Sequence, residues 1–203
     1  MSVNRQILSM VEAMRQVLSE LSPPDPAAQA ELSRALVFLK ELPPVTGTFP
    51  LNNHPSGQAL REAKWSAAVP SSLLESFLSV ARFLPWEYRY AERADAPGLG
   101  GRMGFAEVIG PASPIHSDTI CLGWTFISPR TLYPLHLHPA IELYYVVSGK
   151  AAWTLEGTVQ DRAPGSFILH PSNTLHAMET RDEPLLAVYV WTGTDIETTS
   201  AYA

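Results

Sequence analysis

The chain has 203 residues, of which 46% are apolar and 17% charged, so it carries enough apolar side chains to bury a core. Acidic residues outnumber basic ones by 20 to 14, and the net charge of −6 argues against binding to nucleic acids or to anionic membranes. Cys121 is the one cysteine, which excludes an internal disulfide, and no apolar run approaches the ~18 residues of a membrane span. We therefore expect a cytoplasmic globular protein whose partner is a small molecule.

The first part of the chain has the three- and four-residue periodicity of amphipathic helices. Asp25 followed by Pro26 predicts an N-cap with proline in the first turn. Ser72, with Glu75 three residues later, predicts a capping box. We expect a helical region over residues 1–84, with helices over 7–21, 26–42 and 72–83 and a helical turn near 59–67.

From residue 85 onward, short β-rich segments are separated by glycine, proline, aspartate and serine. A series of short strands of this kind favours a small barrel or a two-sheet roll, so we expect a mainly β protein with one barrel domain over residues 85–203. The helical region would cover a sheet, and it is also a candidate lid or homodimer surface. The predicted strands span residues 86–91, 102–109, 119–127, 135–147, 151–155, 166–169, 175–179 and 185–191.

Four of the six histidines fall between residues 136 and 176. Within the predicted strand 135–147, four residues that bind metals or transfer protons have the same parity and face one side if the strand is regular. They are His136, His138, Glu142 and Tyr144. Imidazole and carboxylate ligands suit one divalent ion such as Zn, Fe, Mn, Co or Ni, and His176 is a further candidate ligand.

The remaining histidines are assigned no chemical role. His54 and His116 lie in loop-like composition and are expected to be exposed. His170 precedes a proline and has the wrong parity to share the face of its neighbours, so we expect it to be structural.

The same region carries two motifs that resemble those of the cupin superfamily. The first is a histidine, any residue, a histidine, three residues, a glutamate, six residues and a glycine, and it is matched by His136, His138, Glu142 and Gly149. The second is matched in spacing by Gly165, Pro171, Asn173 and His176. Arg130 stands where the family has a glycine, and Thr180 where it has an asparagine. The resemblance implies a double-stranded β-helix, or jelly-roll, barrel around one metal ion.

The segment from Tyr133 to Tyr144 is similar to the metal-binding strand of the bacterial dimethylsulfoniopropionate (DMSP) lyases of the DddQ and DddL type. That family combines a short N-terminal helical bundle with one cupin barrel. The resemblance implies a carbon–sulfur lyase that cleaves DMSP to acrylate and dimethyl sulfide. It further implies the metal ligands His138, Glu142, Tyr144 and His176, with His136 next to the ion and with Tyr133 and Trp191 in the substrate pocket.

DMSP has a carboxylate, a sulfonium cation and a weakly acidic proton beside the carboxylate. A divalent ion on the carboxylate stabilises the charge that develops when this proton leaves, and a phenol near a cation deprotonates more readily. We expect Tyr144 to be the tyrosinate base, and Tyr133 and His136 are further catalytic candidates. Because Tyr133 has odd parity, its place in the pocket requires a kink or bulge at Pro134. The candidates to hold the sulfonium by cation–π attraction are Tyr133, Trp191, Tyr189 and Trp124.

Two other functions would use the same side chains. An iron cupin dioxygenase would bind oxygen at the open metal position and consume it during turnover. A non-catalytic sensor of small acids is the third hypothesis, and it has little support because the sequence shows no DNA-binding helix pair and the net charge is acidic.

Overall fold

The computed structural model describes residues 2–65 and 70–203, which form an N-terminal helical layer and two β-sheets. The helices are α1 (Val3–Glu20), α2 (Pro26–Phe38), α3 (Pro55–Glu62) and α4 (Ser71–Val80), with 3₁₀ turns at Ala81–Phe83 and Leu99–Gly101. The strands are β1 (Trp86–Glu87), β2 (Met103–Gly110), β3 (Ile115–His116), β4 (Cys121–Ile127), β5 (Leu132–Leu137), β6 (Ile141–Ser148), β7 (Ala151–Leu155), β8 (Thr158–Arg162), β9 (Phe167–His170), β10 (His176–Thr180), β11 (Leu185–Thr192) and β12 (Ala201–Tyr202). The predicted fold class, a mainly β cupin barrel with an N-terminal helical extension, is confirmed.

The larger sheet has seven strands, in the order β1-β2-β4-β11-β6-β9 with β3 paired to β2. The smaller sheet has five, in the order β12-β5-β10-β7-β8. The larger sheet is buried on both faces, because one face packs against the helices and the other shares a core with the smaller sheet. For this reason β4 and β11 are nearly continuous apolar runs rather than alternating ones.

The helical layer covers the outer face of the larger sheet. The buried face of α1 consists of Ile7, Met10, Val11, Met14 and Leu18. From α4, Phe77 packs on Trp124 of β4 with 4.3 Å between the ring centroids. Among the described residues, none of the helices combines the length and apolar character that a membrane crossing requires.

The helix boundaries differ in part from those predicted. The N-cap at Asp25 is confirmed, since its carboxylate accepts a hydrogen bond from the Ala27 amide at 2.9 Å. The capping box at Ser72 is wrong, because α4 begins one residue earlier behind Pro70 and no side chain caps it. The helical turn near 59–67 is α3, which ends at Glu62, and residues 66 and 67 of that prediction lie outside the described residues.

The predicted strand 135–147 is wrong in a way that matters for the site. The chain leaves the smaller sheet after β5, turns a corner over residues 138–140 and enters the larger sheet as β6. The parity argument therefore joined residues of two strands in different sheets. The strand β8 was missed because its side chains are exposed and polar, which leaves no apolar alternation to detect.

The two departures from the cupin motifs have structural explanations. Arg130 has a φ of 54°, the left-handed conformation that favours glycine. Its guanidinium lies 3.1 Å from the Asp182 carboxylate. The Thr180 hydroxyl accepts a hydrogen bond from the Thr131 amide at 3.0 Å and donates one to the Ser128 carbonyl at 2.5 Å. Thr180 thus anchors the loop that leads into β5.

The motif glycine between β6 and β7 is a steric requirement. Gly149 has a φ of 79°, and a Cβ atom there would lie 1.6 Å from the carbonyl oxygen of Pro184. Gly157 has a similar φ of 78° but nothing within 4 Å of its Cβ position. A side chain at either position would therefore force a strained left-handed backbone, but only at Gly149 would its Cβ atom also clash with a neighbouring residue.

Comparing Gly149→Ala with Gly157→Ala separates the free-energy cost of the backbone strain from that of the clash. We expect Gly157→Ala to lower the free energy of unfolding by about 1 kcal/mol through left-handed strain alone. Gly149→Ala should lower it by roughly 1–3 kcal/mol more, because the Pro184 backbone must move. Urea denaturation followed by tryptophan fluorescence measures both values. Equal losses for the two variants would contradict the steric explanation.

Candidate active site

Four buried side chains converge inside the barrel: His138, Glu142, His170 and His176. One ligand atom from each lies within 4.8 Å of all the others. The Glu142 Oε2 atom is 2.8 Å from His170 Nδ1, 3.0 Å from His138 Nε2 and 3.6 Å from His176 Nε2. A cluster of three imidazoles and one carboxylate is compatible with a divalent metal ion.

The register of the two sheets brings these side chains together. Glu142 on β6 pairs with His170 at the end of β9 on one side and with Trp191 of β11 on the other. Cross-strand partners share a face, so all three point into the barrel. From the smaller sheet, His176 at the start of β10 pairs with His136 of β5. His138 lies at the corner between β5 and β6.

Three of the histidines are held so that the same nitrogen faces the cluster. The Nδ1 atoms of His136, His138 and His176 lie 2.8, 3.0 and 2.8 Å from backbone carbonyls. Because a carbonyl only accepts, each Nδ1 carries a proton. The Nε2 atom of His138 lies 3.0 Å from Glu142 Oε2, and the attraction of this carboxylate outweighs burial and raises the pKa of His138. A backbone acceptor on the far nitrogen is the usual support for a metal-binding imidazole.

The His176 imidazole is the strongest sign that the cluster fits a metal. Its Nε2 atom is buried and has no hydrogen-bond partner among the described residues. An unpaired buried polar atom is costly, and a metal ion would satisfy it. The donor set of His138, Glu142 and His176 therefore fits a borderline divalent ion.

The electrostatics of the cluster keep a negative charge inside the barrel. Burial disfavours the Glu142 carboxylate, but its interactions with His138 and His170 outweigh burial and hold its pKa well below the usual range. Burial lowers the pKa of His136 to about 4 and, together with the neighbouring imidazoles, that of His176 to about 2. Both imidazoles are neutral at pH 7, the form that binds metals.

A cavity of about 280 Å³ opens beside the cluster, and His136, His138 and Glu142 line it. The one basic side chain among the described lining residues is Arg89, which is paired with Glu87 at 2.7 Å. Further carboxylates come from Glu107 and Glu197, so the cavity has an acidic balance. The other lining residues are Tyr90, Phe105, Pro111, Ala112, Cys121, Tyr133, Tyr144, Tyr189, Trp191, Ile196, Thr199 and Ser200.

Tyr133 reaches the cavity through an irregularity in β5. The register between β10 and β5 shifts between His176, which pairs with His136, and Met178, which pairs with Tyr133. Two residues of β5, Pro134 and Leu135, lie between Tyr133 and His136, opposite the single residue Ala177 of β10. Pro134 is the position at which the sequence predicted a bulge. The Tyr133 ring stacks on His136 with centroids 3.9 Å apart and lies 5.8 Å from Phe105.

Tyr144 also lines the cavity, because it is two residues after Glu142 on β6 and faces the same side of the strand. Its hydroxyl lies 3.3 Å from the Thr125 hydroxyl. Burial raises the pKa of the Tyr144 phenol well above 10, and the nearby Glu142 carboxylate raises it further. Its cross-strand neighbour Tyr189 lies over Gly123, where a Cβ atom would come within 2.6 Å of the Tyr189 hydroxyl.

Trp191 has a second contact besides the cavity. Its indole Nε1 donates to Glu142 Oε1 at 2.7 Å, and its ring lies 4.4 Å from that of His138. The tryptophan thus helps to hold two of the candidate ligands.

Three of the predictions need correction. Trp124 does not line the cavity, because Gly123 and Thr125 on either side of it in β4 face inward while Trp124 faces Phe77 of the helical layer. The parity prediction for His170 is wrong, because β9 ends on this residue and its pairing with Glu142 turns it to the inward face. Of the loop histidines, His116 is exposed as expected, whereas His54 is half-buried and caps α3.

Sequence reasoning missed Tyr90, Phe105 and Glu107 of the cavity. Phe105 and Glu107 have the same parity on β2, and that alternation was the available signal. The position of β2 across β4 from the ligand-bearing strands is a property of strand order, which the sequence does not display.

A profile of the dimethylsulfoniopropionate lyase family matches residues 27–187. The chain belongs to this family. It is 30% identical over 129 residues to the DMSP lyase DddQ of Ruegeria pomeroyi, covering 63% of this chain and 64% of that protein. It is 38% identical over 117 residues to the putative DMSP lyase DddL of Cereibacter sphaeroides, covering 57% of this chain and 49% of that protein. The matches thus cover less than two thirds of the length of either relative.

Solved structures of the family have the same fold. A structure from a study of the DMSP lyases RdDddP and RnDddQII superposes with a TM-score of 0.85 at 24% identity and covers 100% of both chains. The DMSP lyase DddQ from Ruegeria pomeroyi superposes with a TM-score of 0.75 at 23% identity and covers 98% of this chain and 96% of that one. The helical layer and the barrel are therefore both features of the family fold.

Replacing His176 tests the metal centre without reference to any reaction. We expect the purified protein to bind one Zn(II) or Co(II) per chain, and His176→Ala to weaken the affinity by more than about 100-fold, since losing a ligand costs more than losing an outer-sphere partner. Chelator competition measures the affinity, and mass spectrometry of the metals gives the stoichiometry. His116→Ala, at an exposed site, is the control. Unchanged affinity in His176→Ala would exclude this residue as a ligand.

Proposed function

We propose that the protein is a metal-dependent DMSP lyase, which cleaves DMSP by β-elimination into acrylate and dimethyl sulfide. The observation that carries this proposal is that one cavity contains both His138 and Glu142 of the cluster and the aromatic rings of Phe105, Tyr133 and Tyr189. Such a cavity suits a small molecule with an acid at one end and a soft cation at the other. The family membership supports the same reaction.

The carboxylate of the substrate needs a positive partner. Arg89, the one basic residue among the described lining residues, is neutralised by Glu87. His138, Glu142 and His176 would hold a divalent ion, with Tyr144 as a fourth donor, and this ion would be the positive partner of the substrate carboxylate. When bound, an ion drawn from Zn, Fe, Mn, Co or Ni would supply Lewis-acid chemistry and make the proton next to the carboxylate easier to remove.

The sulfonium end has a suitable environment on the other side of the cavity. Phe105 lies 5.8 Å from Tyr133 and 6.4 Å from Tyr189, centroid to centroid. Aromatic faces attract a cation that has left water, by about 0.5–2 kcal/mol for each ring. Glu107 and Glu197 add two carboxyl groups to the lining, and burial raises the pKa of Glu107. Tyr90, Trp191 and Tyr189 complete the proposed substrate-binding surface.

We assign the base to Tyr144. Burial keeps its phenol protonated in the absence of a nearby cation, since the pKa is raised well above 10. Thr125 lies within hydrogen-bonding distance and can orient the phenolic oxygen. The tyrosinate takes the proton from the carbon next to the carboxylate, that electron pair forms the C=C bond of acrylate, and the C–S pair leaves with sulfur as neutral dimethyl sulfide. His136 and Tyr133, stacked on each other, are assigned to substrate positioning.

The decisive test is turnover of DMSP by metal-loaded protein. We expect acrylate and dimethyl sulfide in equal amounts, at a rate that is the same with and without oxygen. Tyr144→Phe should lower kcat by at least about 100-fold, the usual contribution of a general base, when it is assayed at metal concentrations that saturate the remaining donors His138, Glu142 and His176. Gas chromatography and liquid chromatography measure the two products.

Tyr145→Phe is the matched control for the base. Tyr145 is the next residue of β6, faces the opposite side and packs on Phe167 with centroids 4.9 Å apart, so the variant should keep near-normal turnover. Near-normal turnover in Tyr144→Phe would remove the tyrosinate from the mechanism. Oxygen consumption in step with turnover would favour the dioxygenase hypothesis instead.

Phe105→Leu tests how the sulfonium is recognised. We expect KM for DMSP to rise by roughly 2- to 30-fold, which corresponds to the loss of one cation–π contact. The thioether analogue 3-(methylthio)propionate has the same carboxylate but an uncharged sulfur, so its inhibition constant should change by less than about 2-fold. If both constants rise together, Phe105 contributes shape and not attraction for the cation.

A further inference from the structure

A chain of hydrogen bonds runs from the smaller sheet to the candidate ligand Glu142. The indole Nε1 of Trp153, on β7, donates to His170 Nε2 at 2.8 Å. His170 Nδ1 lies 2.8 Å from Glu142 Oε2. Trp153, His170 and Glu142 are 1%, 0% and 2% exposed, so no solvent competes for these bonds.

The chemistry of the indole fixes the protonation of the imidazole. A tryptophan N–H only donates, so His170 Nε2 must carry a lone pair. In a neutral imidazole the proton is then on Nδ1, directed at the Glu142 carboxylate. If Nδ1 bound a metal instead, the proton would move to Nε2 and face the Trp153 N–H at 2.8 Å, leaving two buried donors opposed.

We propose that His170 is a positioning residue for Glu142 and not a fourth metal ligand, although its Nδ1 atom lies within the cluster. Trp153 selects the tautomer, and the Nδ1–H group holds Glu142 Oε2 in place. Trp191 holds Oε1 from the other side at 2.7 Å. The carboxylate cannot rotate without breaking a buried hydrogen bond, so its orientation toward His138 and His176 is set before a metal arrives.

The three histidines of the cluster differ in the way that this assignment requires. His138 and His176 direct Nδ1 at backbone carbonyls, which accept the ring proton when Nε2 binds a metal, and the Nε2 partner of His138 is the candidate ligand Glu142 at 3.0 Å. In His170 the nitrogen opposite Glu142 faces the Trp153 N–H, which cannot accept that proton. The inference rests on the metal centre of the proposed function, but not on DMSP as the substrate.

Nuclear magnetic resonance of the unaltered protein tests the tautomer directly. With ¹⁵N-labelled histidine, long-range ¹H–¹⁵N correlation spectra distinguish protonated, free and metal-bound ring nitrogens. On addition of Zn(II), we expect the Nε2 signals of His138 and His176 to shift to the metal-bound position. The His170 pattern should stay that of a ring protonated at Nδ1. A metal-bound signal for His170 Nδ1 would overturn the proposal.

Two substitutions of His170 give a second, independent readout. In His170→Asn the side-chain amide N–H takes the place of Nδ1–H, whereas His170→Leu has no donor. We expect His170→Leu to weaken Co(II) and Zn(II) affinity by about 10- to 100-fold, and His170→Asn to recover most of that loss. The visible spectrum of bound Co(II) should be the same in wild type and His170→Asn, because the ligands are the same.

If His170 were a ligand, both variants would lose affinity alike and the Co(II) spectrum of His170→Asn would change. Trp153→Phe provides a separate check: freed from the indole, His170 should show a mixture of tautomers in the spectra of the metal-free protein. A persistent Nδ1–H form in Trp153→Phe would show that Trp153 does not select it. A protein that binds Zn(II) as described but releases no dimethyl sulfide would refute the lyase function and leave this inference standing.

Discussion

The site depends on one buried carboxylate. Glu142 is 2% exposed, and an ionised carboxylate in such a place is stable only if charged and hydrogen-bonding partners surround it. The barrel supplies them from three sides: Trp191 from β11, His170 from β9 and His138 from the corner after β5. Two of these partners belong to the larger sheet, and the third lies where the chain passes from the smaller sheet to the larger one, so Glu142 is fully paired only when this corner is folded. The ionised carboxylate thus depends on the folded barrel.

In the larger sheet, alternate residues of a strand face opposite sides, so the residues that pack against the helices differ from those that face the cavity. In β4, Leu122, Trp124 and Phe126 face the helices, while Cys121, Gly123 and Thr125 face the other way. The same rule divides Tyr144 from Tyr145 on β6. The residues that face outward form an apolar core with the helices. The residues that face inward can therefore include small and polar side chains that would weaken an ordinary apolar core. Gly123 is an example: its missing side chain leaves room for the Tyr189 ring over the sheet.

The sequence alone was enough to predict the fold class and the proximity of residues within one short motif. It was not enough where the order of strands in the sheet decides which residues lie close together. His138 and Glu142 are four residues apart, so a local turn keeps them together whether or not the segment is one strand. His170 was misjudged because its neighbour Glu142 is 28 residues away and the parity of an unseen pairing cannot be read from the chain. Tyr133 lines the cavity, and the proline beside it is a local signal of the break in the strand pairing that brings it there. Phe105, by contrast, depends on β2 lying across β4, which no local pattern specifies.

Burial acts in the same direction on Glu142 and Tyr144, but the neighbours of the two groups act differently. It disfavours the charged forms of both Glu142 and Tyr144, yet the histidines reverse the effect for the carboxylate alone, and the ionised carboxylate then makes the phenol still harder to ionise. A tyrosinate therefore cannot form in this barrel unless a positive charge enters beside it. Glu142, a candidate metal ligand, thus also opposes the ionisation of Tyr144. Under the proposed mechanism, this coupling makes the basicity of Tyr144 conditional on a cation bound beside it.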